Sequence, residues 1–224
     1  FIMIRYLLSI AVSLFFTCTL CAQQEGNNIS ITLGDDNVND SIQVKEMLKV
    51  ADSQPEGSAL KIEYLLRALQ IAEKYNRKED IGLCYYHIAW HYIFKSNQAK
   101  AIESFRNVTS NSTDPKLLVN SYGVVANICS WNGAPEKAKK WANDAVEVAE
   151  KSGSPREKAN AYIFLGDAYR YDKDRTKANY YYFKALAFLK QDTKPGGAML
   201  GVVYLHTLDN EKITLDFPFD LMQL

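Results

Sequence analysis

One spacing of small residues recurs along this chain, and it restricts the fold more than any other feature. Four pairs of residues share the same separation: Ala89 with Ala101, Ala126 with Ala138, Gly166 with Ala178, and Gly201 with Ile213. The members of each pair are 12 residues apart, whereas the first members of successive pairs are 37, 40 and 35 residues apart. A constant spacing within units and a variable spacing between them indicates tandem repeats whose length changes fall in the connecting loops.

Each unit has the pattern of two antiparallel helices. Apolar residues recur three or four positions apart on both sides of a short polar turn, as they do on one face of a helix. The predicted turns lie at 97–98, 132–135 and 172–174. An earlier, degenerate unit ends in Leu65, Ala68 and Ala72. A helix pair cannot bury its apolar face alone, so the pattern predicts pairs that stack into a solenoid.

The unit at 162–185 carries the most complete motif. It keeps Leu165, Gly166, Tyr169, Ala178 and Ala185 in order. This order resembles the tetratricopeptide repeat, a helix–turn–helix unit of about 34 residues. The resemblance extends over residues 41–217. It implies an all-α fold, a right-handed superhelical solenoid of antiparallel helix pairs with about four to five repeats.

Residues 1–22 have the pattern of a secretory signal peptide. Arg5 is their only charge, an apolar run follows it, and the segment ends at Ala22. Two alternatives stay open, an uncleaved membrane anchor and a lipoprotein leader with Cys18 or Cys21 as the acceptor. The apolar run is short for a membrane span, which needs about 20 residues. The leader therefore predicts an exported bacterial protein that is periplasmic or associated with the envelope.

The rest of the chain divides into three predicted segments. Residues 23–40 are polar and show no apolar period, so we expect a flexible spacer there. The helical array is expected at 41–217. Pro218 would interrupt a helix directly after the array. We therefore expect residues 218–224 to form a tail, and the chain to be the front of a longer protein.

The charge balance excludes one class of partner. The chain has 26 basic and 26 acidic side chains, and its formal net charge is zero. Nucleic-acid binders carry a basic stripe instead, so no nucleic-acid partner is expected. The apolar content of 47% is near the globular average and argues against wholesale disorder. Contact with a membrane is expected only through an uncleaved leader or a C-terminal module outside this chain.

No set of catalytic or metal-binding residues is evident in the sequence. It contains no G-x-S-x-G, S-x-x-K, Walker or G-x-G-x-x-G motif. His87 and His91 are four residues apart, but no Glu stands between them as in H-E-x-x-H and no third ligand is evident. We expect Cys84 and Cys129 to be buried thiols without a disulfide. The prediction is a protein without metal or cofactor, with an enzyme as the least favoured alternative.

The first helix of each unit supplies the candidate binding site. In the tetratricopeptide repeats that this chain resembles, the first helices line a concave groove. The corresponding positions here include Tyr86, Trp90, Phe94, Asn127, Trp131, Asp167, Arg170 and Tyr171. Aromatic anchors mixed with amide and charged groups are typical of peptide-binding surfaces. The resemblance thus implies a groove for a protein or peptide, and the alternatives are aromatic packing between units or a groove filled by the chain's own tail.

Two functions follow from these expectations. The first is an exported, non-catalytic protein that binds a protein or peptide partner as the sensing part of a signal-transduction regulator. It is suggested by a resemblance to the extracytoplasmic front of bacterial regulators, in which such repeats precede a membrane span and a signalling module. The second is a free-standing periplasmic scaffold for envelope assembly.

Overall fold

The computed structural model describes residues 37–152 and 154–191. All regular structure within these residues is helical, with eight helices and no strand. The helices are α1 (Asn37–Asp52), α2 (Ala59–Lys74), α3 (Lys78–Phe94), α4 (Gln98–Asn111), α5 (Pro115–Trp131), α6 (Pro135–Ser152), α7 (Pro155–Tyr171) and α8 (Arg175–Leu189). The predicted leader, the repeat at 201–213 and the tail at 218–224 lie outside the described residues.

The helices pack in consecutive pairs, α1 with α2, α3 with α4, α5 with α6, and α7 with α8. The first helices also contact one another from pair to pair, α1 with α3, α3 with α5, and α5 with α7. Tyr162 in the middle of α7 stacks on Phe188 near the end of α8 with ring centroids 5.8 Å apart, and Tyr169 near the end of α7 stacks on Tyr181 in the first half of α8 at 5.3 Å, so this pair is antiparallel. The predicted all-α stack of helix pairs is confirmed for the described residues. Its first helix begins at Asn37, ahead of the expected boundary at residue 41.

The recurring small residues lie where the two helices of a pair meet. Five of them are fully buried, namely Ala89, Ala101, Ala126, Ala138 and Ala178. Gly166 takes the same place in α7, where an added Cβ would lie 2.6 Å from Cε1 of Tyr182 in α8. Small side chains at these positions let the helix axes approach closely, and this explains why the spacing of 12 residues is kept.

The first pair departs from the pattern at one position. Leu65, Ala68 and Ala72 of α2 are fully buried, as the sequence predicts for the degenerate unit. Lys61 lies four positions before Leu65, and this is the position that a buried alanine has in the other second helices. Its side chain is only 6% exposed, and its Nζ lies 2.6 Å from Oε1 of Glu56 in the preceding loop. A buried lysine that pairs with a half-exposed carboxylate therefore replaces a methyl group here, and the repeat is hard to recognise in this unit.

The turns inside the second, third and fourth pairs have a common form. In the α3–α4 turn, the Asn97 N–H donates to the Tyr92 carbonyl and the Ser96 N–H to the Ile93 carbonyl. This places Ser96 in the left-handed region, with φ of 54°. Gly133 and Lys173 have φ of 69° and 65° in the turns of the next two pairs. These three-residue turns overlap the predicted ones and bring the second helix back along the first.

Candidate functional site

The last residues of three first helices form one row of exposed aromatic side chains. Phe94, Trp131 and Tyr171 end α3, α5 and α7, and each follows the small residue of its helix by five positions. Their side chains are 58%, 57% and 42% exposed, respectively. Because α3, α5 and α7 contact one another in series, the row crosses three successive pairs. We call these three residues the aromatic row.

Two members of the aromatic row are joined directly. The Trp131 Nε1–H donates a hydrogen bond of 2.8 Å to the Tyr171 hydroxyl, although the two residues are 40 positions apart. The guanidinium of Arg170 lies over the Tyr171 ring, with its carbon 4.6 Å from the ring centroid. These contacts restrict the orientation of two large exposed rings, so less conformational entropy is lost when a partner packs on them.

Asp167 and Arg170 of the predicted site connect α7 to α8. The buried Asp167 accepts a 2.7 Å hydrogen bond from the Tyr182 hydroxyl, and Arg170 Nε donates to that hydroxyl at 3.2 Å. Burial, and after it the charge of Asp167, raises the pKa of Tyr182, so this phenol is a hydrogen-bond donor at all physiological pH values. The Asp167 carboxylate is therefore hydrogen-bonded inside the pair, whereas the Arg170 guanidinium also contacts Tyr171 of the aromatic row.

Tyr86 and Trp90 of the predicted site pack within the second pair. Both side chains are half-buried, and both rings meet buried Phe105 of α4 edge to face, with ring centroids 6.2 Å apart in each case. They also contact each other at 6.3 Å. Much of their surface therefore serves the contact between α3 and α4, and less of it is open to a partner.

Asn127 and Ser130 lie one turn apart on α5, next to Trp131. Asn127 Oδ1 and Ser130 Oγ are both buried, and neither has a hydrogen-bond partner among the described residues. A buried polar atom without a partner costs about 1–3 kcal/mol. Asn127 was predicted as a groove residue, and the structure adds that its amide oxygen is free to accept a hydrogen bond.

The histidines and cysteines form no metal or redox centre in the described part of the chain. His87 Nδ1 lies 3.1 Å from Oδ1 of Asp52, and His91 is buried beside it on α3. Between residues 37 and 191, no cluster of three or more His, Cys, Asp or Glu side chains could hold a metal ion. Cys84 and Cys129 are both free thiols. Burial raises the pKa of Cys84 to about 12, so its sulfur is a neutral thiol and not a nucleophile.

A pocket of ≈ 250 Å³ lies between α2, α3 and α4, and it was not predicted from the sequence. Its lining includes Leu66 and Leu69 of α2, Tyr85 and Tyr92 of α3, and Ser104 of α4. A signal for it was present in the sequence, because Ser104 aligns with much larger residues in the later repeats. The small side chain indicates a pocket only once the structure shows that α2 and α3 pack against this part of α4.

Comparison with known proteins assigns no family. No helix between residues 37 and 191 combines the length and apolar character needed to cross a bilayer. A scan against protein-family models finds no match to this chain, and a search of curated proteins finds none either. The tetratricopeptide identity therefore stays a prediction from the residues quoted above.

Proposed function

We propose that this chain is an exported, non-catalytic protein of the tetratricopeptide type that binds a protein or peptide segment along the aromatic row. The observation that carries the proposal is the exposure of Phe94, Trp131 and Tyr171 at one register in three successive helix pairs. Large aromatic side chains supply much of the binding energy of protein interfaces. Three of them in a row offer a series of anchor points to an extended segment.

Polar groups beside the aromatic row suit a peptide backbone. Asn127 Oδ1 and Ser130 Oγ are buried acceptors without a partner among the described residues, and they precede Trp131 on the same helix. Asn127 is only half-buried, so a rotation of its side chain would bring its amide oxygen to a backbone N–H of a bound segment and remove the cost of leaving that oxygen unpaired. The aromatic row then supplies apolar contact area, while α5 supplies the hydrogen bonds that orient the segment.

The leader supports the location of this activity. Residues 1–22 carry the signal-peptide pattern, which favours export to the periplasm or the envelope. An exported binding surface without catalytic groups suits the sensing part of a signal-transduction regulator. In that role the bound segment is the signal that the regulator detects.

Peptide selection with a triple variant tests the proposal. A random peptide library is panned on the immobilised full chain, and the dissociation constants of selected peptides are measured for the wild type and for Phe94→Ala/Trp131→Ala/Tyr171→Ala. We expect the triple variant to bind at least about tenfold more weakly, since truncating one hot-spot side chain costs about 2 kcal/mol.

The matched control removes exposed apolar side chains from the second helices. Leu60→Ala/Tyr180→Ala truncates residues that are 45% and 38% exposed and lie on α2 and α8. This variant should keep the affinity of the wild type. Equal binding by the wild type and the triple variant, with an unchanged helical circular dichroism spectrum, would remove the aromatic row as the binding site.

A further inference from the structure

The second helices differ at one register position that decides how their pairs are filled. The residue three positions after the buried alanine is Ser104 in α4, Trp141 in α6 and Tyr181 in α8. Two of these side chains are large rings, and the third is a short hydroxyl. All three stand at the same place in the repeat, so the later pairs show what that place can hold.

In the later pairs, the ring packs on a tyrosine of the first helix. Trp141 lies over Tyr122 with ring centroids 5.6 Å apart. Tyr181 stacks on Tyr162 at 6.1 Å and on Tyr169 at 5.3 Å. The ring of Tyr181 therefore occupies the space between two tyrosines of α7, one in the middle of the helix and one near its end.

The second pair has the same two tyrosines but no ring between them. Tyr85 and Tyr92 of α3 take the register of Tyr162 and Tyr169, and both line the ≈ 250 Å³ pocket. Ser104 cannot reach across it, because its hydroxyl donates a 2.8 Å hydrogen bond back to the Lys100 carbonyl of its own helix. The pocket thus lies where the fourth pair places the ring of Tyr181.

In both the second and the fourth pair, a lysine lies over the second of the two tyrosines. Lys100 Nζ lies 5.2 Å from the centroid of Tyr92, and Lys177 Nζ lies 5.2 Å from the centroid of Tyr169. The apolar walls of the pocket come from Leu66, Leu69 and buried Ile88. The pocket therefore has the tyrosines, the cation and the apolar sides of an aromatic stack without its central ring.

The rim of the pocket carries one charge of each sign. Lys100 and Glu103 are three positions apart on α4, so they lie on the same face of the helix. Neither forms an ion pair with another described residue. A molecule that brought both a carboxylate and an ammonium group to this rim would be matched at both ends.

We propose that this pocket binds a free aromatic amino acid, with its phenol or indole ring between Tyr85 and Tyr92 and its carboxylate and ammonium groups at Lys100 and Glu103. The ring takes the place that Tyr181 takes in the fourth pair. The site lies between α2, α3 and α4, and its lining includes no residue of the aromatic row, so this inference stands independently of the proposed function.

The first experiment measures binding of small molecules to the purified full chain. Saturation-transfer NMR and calorimetry are run with L-tryptophan, L-tyrosine, N-acetyl-L-tryptophanamide and L-alanine. We expect saturable binding of the two aromatic amino acids, no binding of alanine, and at least threefold weaker binding of the amide, which lacks both charges. No saturable binding of either aromatic amino acid would overturn the proposal. Equal affinity for the amide would overturn it in favour of an aromatic residue within a partner chain.

Two variants and one control locate the ligand. Ser104→Trp supplies the missing ring from α4, so it should weaken tryptophan binding at least tenfold and raise the melting temperature. Ser110→Trp places the same ring at an exposed position of the same helix outside the pocket and should leave binding unchanged. Lys100→Met should weaken tryptophan binding and leave the amide unaffected, and it tests the rim without filling the pocket. Wild-type affinity in both Ser104→Trp and Lys100→Met would contradict the assignment.

Discussion

At the scale of single residues, Gly123 shows how closely the first helices pack. It lies on α5, where a side chain of any size would overlap the ring of Phe164 in α7. Glycine in the middle of a helix is destabilising by about 1 kcal/mol relative to alanine. The chain keeps it because the Phe164 ring fills the space that a Cβ would need.

Gly123→Ala should therefore destabilise the protein despite its better helix propensity. We expect a net loss of up to about 2 kcal/mol in the free energy of unfolding, since overpacking typically costs about 1–3 kcal/mol and the better helix propensity offsets about 1 kcal/mol of it. Urea denaturation followed by circular dichroism measures it. In a Phe164→Ala background the same change should become stabilising by about 0.5–1 kcal/mol, because only the propensity effect remains. The same sign in both backgrounds would contradict this account of the contact.

At the scale of elements, each loop between pairs must be held against the helix it passes. Glu79 in the first turn of α3 does this for the connection between α4 and α5. Its carboxylate accepts hydrogen bonds from Ser112 Oγ at 2.7 Å, from the Thr113 N–H at 2.8 Å and from Thr113 Oγ1 at 2.6 Å. Partial burial alone would raise the pKa of Glu79, but these hydrogen bonds outweigh it and lower the pKa below 4.5. The carboxylate form is therefore the one that stabilises the loop.

The lowered pKa of Glu79 predicts a loss of stability in acid. A group with a depressed pKa in the folded state stabilises that state above its unfolded pKa, and the stabilisation disappears as the pH falls through the folded value. The difference in unfolding free energy between the wild type and Glu79→Gln should be constant above about pH 5.5 and shrink below about pH 4.5. Urea denaturation at a series of pH values measures it.

Glu63→Gln is the matched control for Glu79→Gln. Glu63 is exposed on α2, and its carboxylate pairs with exposed Arg67 one turn away. Exposed pairs of this kind contribute little to stability. This control should follow the wild type at every pH. A difference between wild type and Glu79→Gln that does not change with pH would refute the role given to the Glu79 carboxylate.

At the scale of the whole molecule, successive helix pairs are joined by the packing of each second helix on the next first helix, by contacts between first helices, and by polar groups at the turns. Lys139 of α6 reaches Asp172 after α7 at 3.0 Å, and Asn132 after α5 donates to Gln98 of α4 at 2.9 Å. Each pair thus touches its neighbours but not more distant pairs through these groups. Such an array presents one register position again and again, as the aromatic row does.

The proposed role requires the whole chain to leave the cytoplasm. The full chain is fused at its end to a reporter enzyme that needs disulfides and is active only after export. We expect reporter activity in a bacterial host, and its loss when Leu7→Asp and Leu8→Asp interrupt the apolar run of the leader. Asn27→Asp/Asn28→Asp in the polar spacer is the control and should remain active. Cytoplasmic retention of the unaltered fusion would refute the exported role.

Much of the architecture was predictable because it depends on local periodicity. The 12-residue spacing located the helix contacts at Ala101, Ala138 and Ala178, and all three are buried there. The same register pointed to Phe94 and Trp131, which are exposed. It could not separate them from Tyr86 and Trp90, because whether an aromatic side chain packs or stays open depends on what the next helix places against it.

The sequence by itself determined that the described chain folds into helix pairs, where their turns lie and which small residues allow the helices to approach. These properties follow from spacing along one or two consecutive helices. Only the tertiary structure decided that Asp167 accepts a hydrogen bond from Tyr182 and that Trp131 donates one to Tyr171. It also decided that Ser104 leaves a pocket in the second pair, where Tyr181 supplies a ring at the same register of the fourth pair. Those outcomes depend on side chains from different helices that meet in space, so no spacing along the chain encodes them.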